Sequence, residues 1–224
     1  MRNIEKDELE MAARREEMIS AGFRIFSEKG IEATGMQEIA NACHVGIATL
    51  YRYYKTKLEL VLDIGTRKWR EFSEQTKKKR SACNVERMTA AEEFVFYLNL
   101  FIDLYKNNKE LLRFNQNFNV YVIHEHATKE QLLPYLKEIS VMKMFFHELY
   151  EKGKQDGTIK TDLTEDKMFA STVHIMLAVG VRYSEGLLYS SENETDNIKE
   201  FEFLKKIMLK EFVKDGVLRR GAGQ

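Results

Sequence analysis

One short segment, Ile47–Tyr54, carries side chains whose types and spacing suit contact with DNA. Leu50 and Tyr54 are four residues apart, so on a helix they share a face and point inward. The outward side chains are small, aromatic or cationic: Ile47, Ala48, Tyr51 and Arg52, flanked by Thr49 and Tyr53. Small residues at the start of a helix allow close approach to the major groove, apolar ones touch a thymine methyl group, and arginine pairs with guanine. We therefore predict that this segment is a recognition helix.

Groups that bind phosphate lie beside this face. The hydroxyls of Tyr51 and Tyr53 can donate hydrogen bonds to phosphate oxygens. Lys57, at the start of the next predicted helix, offers both an ammonium group and a free backbone N–H. Such contacts orient a protein on the duplex without reading its sequence.

The elements needed to hold a recognition helix are present between Met36 and Lys55. A helix-turn-helix packs two short helices at a steep angle and requires apolar or small residues between them. Those positions carry Ile39, Ala40, Cys43, Val45 and Leu50. The turn falls on His44, where glycine is usual, but histidine adopts positive φ more readily than most residues. An ordinary helical hairpin that binds nothing is the alternative, and the outward Tyr51-Arg52-Tyr53 face beside Lys57 argues against it.

Residues Met18–Leu60 resemble the tetracycline-repressor (TetR) family of transcriptional regulators. The resemblance rests on Phe23, Phe26, Gly30, Thr34, Gln37-Glu38-Ile39-Ala40, the run Val45–Tyr54, and Lys57. By position it implies phosphate contacts from Thr34, Tyr51, Tyr53 and Lys57. It implies that the residues at or near base edges are Gln37, Ile47, Ala48, Thr49 and Arg52. The family looks like a set of ligand-responsive repressors, so the resemblance also implies an effector cavity in the C-terminal part of the chain.

The sequence departs from the family pattern at a few positions. Gly35 stands where a second threonine is common, Cys43-His44 replaces Ala-Gly, and Tyr54 stands where phenylalanine is usual. None of these removes a predicted DNA contact. Ile47 replaces a commonly polar residue, which leaves the operator sequence open.

Amino-acid composition and charge narrow the class of protein to which the chain can belong. Of 224 residues, 44% are apolar and 31% charged, with a single proline, which favours a mostly helical fold. No apolar run approaches the roughly 18 residues of a membrane span, and the polar first ten residues do not resemble a signal peptide. The two cysteines allow one disulfide, but two lone cysteines are more typical of a reduced protein, so we expect a cytoplasmic location. Net charge is zero, yet residues 11–80 hold 14 Lys/Arg against 9 Asp/Glu, which permits DNA binding.

Apolar periodicity and capping signals predict an all-α fold without strands. The predicted helices are Met11–Lys29, Met36–Cys43, Ile47–Tyr54, Thr56–Arg80, one following Thr89, Leu111–Ile123, Leu133–Lys152, Glu165–Tyr189 and Asn197–Lys214. Capping boxes are predicted at Thr56–Glu59 and Thr89–Glu92, and a loop at Gly153–Leu163. We expect a flexible extension over 1–10, a helix-turn-helix domain over 11–55, a helical effector-binding and dimerisation domain over 56–218 with linking helix 56–80, and a flexible tail over 219–224.

The last two predicted helices each carry more apolar surface than one buried stripe requires, which predicts a four-helix interface in a homodimer. The residues assigned to this interface are Ile175, Ala178, Phe201, Leu204 and Met208. Burial of both helices within their own domain is the alternative. A second copy also gives two recognition helices, which match the two half-sites of a palindromic operator.

Aromatic residues are concentrated in the middle helices, and most are expected to be core. A subset is predicted to line a cavity for an unknown effector that is apolar or aromatic: Tyr97, Phe101, Phe118, Tyr121 and Phe146. Bound effector is expected to change the spacing of the two recognition helices through the long helix Thr56–Arg80.

The sequence thus predicts a transcriptional regulator, a repressor released by its effector. The alternative is a helical small-molecule-binding protein or enzyme with a vestigial helix-turn-helix. No acid–base pair, nucleophile or phosphate loop is recognisable, so we name no catalytic residue and no cofactor. His124 and His126 are two residues apart with no completing ligand, so no metal site is predicted.

Overall fold

The computed structural model of the chain describes residues 4–186 and 194–217. These residues form nine α helices and a short 3₁₀ turn at Val85–Arg87. The helices are α1 (Ile4–Lys29), α2 (Met36–Ala42), α3 (Ile47–Tyr53), α4 (Lys57–Ala82), α5 (Ala90–Asn107), α6 (Lys109–His124), α7 (Lys129–Asp156), α8 (Glu165–Glu185) and α9 (Glu194–Phe212). The predicted all-α fold is confirmed. Within the described ranges no helix is long and apolar enough to cross a membrane.

The two predicted capping boxes differ in outcome. At Thr89 the box is complete, because the Thr89 hydroxyl accepts from the backbone N–H of Glu92 and the Glu92 carboxylate accepts from the backbone N–H of Thr89. At Thr56 the hydroxyl accepts from the N–H of Glu59 at 3.1 Å, but the Glu59 carboxylate accepts from the N–H of Lys55 at 2.7 Å. The first turn of α4 is therefore hydrogen-bonded to the short segment that joins it to α3.

Two helices exceed their predicted length by more than one turn. Helix α1 begins at Ile4, within the stretch predicted as a flexible extension. The glutamate, lysine and leucine residues of that stretch favour helix, so they extend the helix formed by the residues that follow. Helix α7 continues through Gly153, which was assigned to a loop. A Cβ at Gly153 would lie 2.7 Å from the Cβ of Ile159, so the glycine allows a close approach instead of ending the helix. The tail predicted over 219–224 lies outside the described residues.

The chain divides into two compact units. One comprises Met1–Arg70 with Arg113–Lys137, and the other comprises Glu71–Leu112 with Glu138–Gln224. The boundaries fall inside α4, α6 and α7, whereas the sequence placed a domain boundary at residue 55. We call these the N-terminal and the C-terminal unit.

The N-terminal unit extends past residue 55 because α4 and α6 complete its core. Phe23 of α1 packs on Phe114 of α6, with 5.5 Å between ring centroids. A Cβ at Gly65 of α4 would lie 2.6 Å from the Phe118 ring, so glycine is required for this approach of α4 and α6. The helix-turn-helix is thus supported by a larger core than its own three helices provide.

The C-terminal unit has an aromatic core. Phe94 and Tyr97 of α5, Phe146 of α7 and Phe201 of α9 are buried, and each is at most 1% exposed. Tyr97 stacks on Phe146 with 5.4 Å between ring centroids. Two cysteines in the described chain, Cys43 and Cys83, are both free thiols.

Candidate nucleic-acid interface

Helices α2 and α3 meet at a tight turn as the sequence predicted. Ile39, Ala40 and Leu50 are fully buried between them. His44 has φ +54°, which confirms that the turn position requires positive φ. The N–H of Val45 donates to the carbonyl of Ala40 at 3.0 Å, closing the turn.

The outward face of α3 is exposed. Ala48, Tyr51 and Arg52 are open to solvent, while Ile47, Thr49 and Tyr53 are half-buried. The Arg52 guanidinium lies 5.9 Å from the centroid of the Tyr53 ring, a cation–π arrangement that restricts both side chains. Gln37 on α2 is also exposed, and its amide donates to the side chain of Asn41 at 2.9 Å. These are the side chains for which the sequence predicted base and phosphate contacts, and they share one unit.

Tyr54, one of the departures from the family pattern, fixes the C-terminal end of α3. It is 4% exposed, and its hydroxyl donates to Asp63 of α4 at 2.7 Å. Burial, followed by the hydrogen bond to Asp63, raises the pKa of Tyr54 far above its usual value. The phenol therefore stays protonated as a donor and joins the recognition helix to α4.

The side chains of two residues predicted to contact phosphate make hydrogen bonds within the protein. Thr34 is 1% exposed and its hydroxyl donates to the carbonyl of Gly30 at 2.8 Å. The Lys57 ammonium donates to the carbonyls of Ile31 at 2.8 Å and Thr34 at 3.1 Å. These carbonyls lie in the loop after α1, and the hydrogen bonds hold the half-buried Lys57 side chain against that loop. The backbone N–H of Lys57 remains a predicted phosphate ligand.

The Lys57 ammonium also lies 5.1 Å from the centroid of the Tyr121 ring on α6. Burial raises the pKa of Tyr121 to about 12, so the ring is neutral at physiological pH. One lysine side chain thus contacts the loop after α1 and a helix of the supporting core. It therefore helps to position the helix-turn-helix.

A feature that the sequence did not reveal is the position of the first turns of α1. A surface concavity of about 420 Å³ is lined by acidic and basic groups together: Asp7, Glu10, Met11, Arg14, Arg52 and Tyr53. Arg14 thereby joins the cationic residues near α3, and two carboxylates lie in the same concavity. The only sequence signal for this was the helix propensity of residues 4–10.

The five predicted effector residues are buried but are divided between the two units. Tyr97, Phe101 and Phe146 belong to the C-terminal unit, and Phe118 and Tyr121 belong to the N-terminal unit. Phe118 stacks on Tyr135 with 4.3 Å between ring centroids.

In the C-terminal unit the Tyr97 hydroxyl donates to Glu93 at 2.9 Å. Glu93 is 1% exposed and is neutralised by Arg80 at 2.8 Å and by Lys152. Sequence reasoning missed this buried carboxylate. Its position four residues before Tyr97 was the available signal.

Two of the five residues predicted to form the dimer interface are buried within the chain itself. Phe201 and Met208 of α9 are 0% and 5% exposed, because they face the core of their own unit. The Phe201 ring packs on Tyr105 with 5.3 Å between centroids. Helix α9 does have a second apolar side, where Phe203 is 63% and Ile207 42% exposed. The other three predicted residues are less enclosed: Ile175 and Ala178 are exposed and Leu204 is half-buried.

Residues 18–64 match the sequence model of bacterial regulatory proteins, tetR family. No curated protein sequence matches the chain. Solved structures do match. FadR from Bacillus subtilis, a transcriptional regulator in complex with stearoyl-CoA, is 15% identical with a TM-score of 0.63, covering 86% of this chain and 96% of that chain.

A transcriptional regulator from Saccharomonospora viridis in complex with choline is 14% identical, with a TM-score of 0.68 and coverage of 91% and 99%. AibR in complex with isovaleryl coenzyme A and operator DNA is 18% identical, with a TM-score of 0.61 and coverage of 89% and 100%. At these identities the likeness establishes the fold along nearly the whole chain.

Proposed function

We propose that the chain is a tetR-family regulatory protein that acts as a homodimeric repressor, reads a palindromic operator and is released by a small-molecule effector. The observation that carries the proposal is the exposed face of α3 on a buried, hydrogen-bonded support. A recognition helix must be held rigidly to place side chains against base edges. The Tyr54–Asp63 and Lys57–carbonyl contacts supply that support.

The reading contacts are assigned to the exposed side of the helix-turn-helix. Arg52 pairs with guanine, Ile47 and Ala48 approach thymine methyl groups, and the remaining contacts near base edges come from Gln37 and Thr49. Tyr51, Tyr53 and the backbone N–H of Lys57 bind phosphates, and Arg14 adds a cation at the edge of α3. Thr34 acts only through the packing of its loop.

A homodimer follows from the apolar side of α9 that its own unit leaves open. Phe203 and Ile207 replace Phe201 and Met208 as the interface residues of α9, beside Leu204, with Ile175 and Ala178 from α8. Exposed apolar side chains on two neighbouring helices favour a four-helix interface with a second copy. The dimer gives two recognition helices for half-sites about 34 Å apart.

The effector is proposed to be a small molecule with an apolar or aromatic part. Tyr97, Phe101 and Phe146 offer aromatic surface in the C-terminal unit. Solved structures of the same fold hold acyl-coenzyme A molecules or choline, which shows that the fold accommodates such ligands. Phe118 and Tyr121 remain candidate contacts, and titration calorimetry of Phe118→Ala and Tyr121→Ala with candidate effectors tests them.

Release from DNA is proposed to pass through α4, which directly follows the helix-turn-helix and runs from the N-terminal into the C-terminal unit. Because coupling between two ligands is reciprocal, operator DNA must weaken effector binding by the same factor, typically about 5–150-fold. We propose a cytoplasmic location and no catalytic activity.

A mobility-shift assay with promoter DNA next to the gene tests the proposal. We expect a shift with wild type, a strongly reduced shift with Arg52→Ala, and an unchanged one with Arg87→Ala, an exposed arginine of the other unit. A folded wild-type protein that gives no shift at low salt contradicts the proposal. The rival function, a small-molecule-binding protein or enzyme, predicts that Arg52→Ala changes nothing measurable.

A further inference from the structure

Three metal-binding side chains meet where the end of α7 lies beside the start of α8. His147 and Glu151 come from α7, and Glu165 is the first residue of α8. The ligand atoms of the three residues all lie within 4.8 Å of one another, and the Nδ1 of His147 is 2.9 Å from a carboxylate oxygen of Glu165. Within the described ranges no other group of three such side chains meets this spacing.

The backbone brings these side chains together and holds them there. His147 and Glu151 are four residues apart, so they project from one face of α7. The hydroxyl of Tyr150 donates to the carbonyl of Leu163 at 2.6 Å, which fastens the segment before α8 to α7. The hydroxyl of Thr164 accepts from the N–H of Lys167 and caps α8, so the position of Glu165 is fixed relative to α7.

We propose that His147, Glu151 and Glu165 form a binding site for one divalent transition-metal ion, with Zn²⁺ as the favoured ion. One imidazole nitrogen and two carboxylate oxygens are ligands that Zn²⁺ accepts, whereas Mg²⁺ and Ca²⁺ prefer oxygen ligands alone. Zinc bonds of about 2.1 Å in tetrahedral geometry separate ligand atoms by roughly 3.4 Å. The ligand atoms now lie within 4.8 Å of one another, so rotation of the side chains would be needed to reach this separation. Three protein ligands leave one position for water or another small ligand.

The charged side chains around the three ligands permit a divalent cation to bind there. The Lys154 ammonium pairs with Glu151 at 2.6 Å, and both side chains are nearly half exposed. Lys143 pairs with Asp166 at 3.0 Å, next to Glu165. Exposed ion pairs of this kind contribute little, so a dication readily replaces Lys154 at Glu151. Bound metal would join α7 to α8 by coordinate bonds. This site is separate from the helix-turn-helix and does not depend on DNA reading.

Titration calorimetry of the full chain with Zn²⁺ tests the site. We expect saturable binding of one ion per chain and at least a tenfold loss of affinity in His147→Ala and in Glu165→Gln, since removal of a residue that only hydrogen-bonds to a metal ligand already costs about 10–100-fold. His174→Ala is the matched control, because His174 is an exposed histidine of α8. Cys83→Ser controls for the exposed thiol. Both controls are expected to bind as wild type.

Thermal unfolding supplies a second readout. A ligand that binds only the folded state raises Tm, so Zn²⁺ should raise Tm of wild type and of His174→Ala but not of His147→Ala. The proposal is overturned if wild type binds no ion stoichiometrically or if His147→Ala binds Zn²⁺ as wild type does. It is equally overturned if affinity is lost in Cys83→Ser instead, since the thiol then holds the metal.

Discussion

Replacing Lys57 by methionine distinguishes two roles of its ammonium group: holding the helix-turn-helix in position and contacting a DNA phosphate. Methionine keeps the apolar stem and removes the ammonium that donates to the carbonyls of Ile31 and Thr34. A hydrogen bond to a charged group contributes about 1.5–3 kcal/mol, and Lys57 is only partly buried. We therefore expect Lys57→Met to lower the free energy of unfolding by about 2 kcal/mol, which for a chain of this size is a fall of roughly 4–8 °C in Tm.

Salt dependence provides the second half of this test. Each phosphate contact adds about 0.9 to the slope of log affinity against log salt concentration. Because the ammonium is engaged inside the protein, Lys57→Met should leave that slope unchanged, as measured by fluorescence anisotropy with duplex DNA. Lys78→Met, an exposed lysine of α4, should change neither stability nor slope. Unchanged stability together with a slope reduced by about 1 would refute the reasoning and restore the phosphate contact.

Three further predictions concern other parts of the chain. Phe203→Glu should dissociate the proposed dimer, and sedimentation velocity that still shows a dimer at micromolar concentration would exclude this side of α9. Asp7→Asn combined with Glu10→Gln should raise non-specific DNA affinity by roughly threefold to tenfold at low salt, since the concavity shared with Arg52 loses two negative charges; an unchanged anisotropy titration contradicts this. Gly65→Ala should destabilise the protein by about 1–2 kcal/mol in urea unfolding, because its Cβ meets an aromatic ring, whereas Gly35→Ala, which has open space, should not.

The helix-turn-helix was predictable because its requirements are local. Buried Ile39, Ala40 and Leu50, with a turn residue that tolerates positive φ, lie within fifteen residues of one another. Local spacing determines which of these side chains face each other once both helices form. The exposed side chains of α3 follow from the same periodicity, so they too were correctly placed.

Contacts over long sequence separations were not predictable in this way. The sequence shows that Lys57 is basic, but not that carbonyls of Ile31 and Thr34 lie within reach of it. It shows two apolar sides on α9, but which side faces the core depends on where α5 and α8 pack, so the burial of Phe201 was not predictable. The His147-x-x-x-Glu151 spacing was visible, whereas the third ligand comes from another helix.

The central claim is that the exposed face of α3 reads an operator sequence, and the ratio of specific to non-specific DNA affinity for Arg52→Ala tests it most directly. A bidentate arginine–guanine contact contributes about 1–3 kcal/mol of discrimination, which is roughly 5–150-fold. We predict that Arg52→Ala lowers the ratio by that factor, with non-specific affinity reduced far less. An equal loss of both affinities would make Arg52 a phosphate contact, and an unchanged ratio would contradict the assignment of α3 as the reading helix.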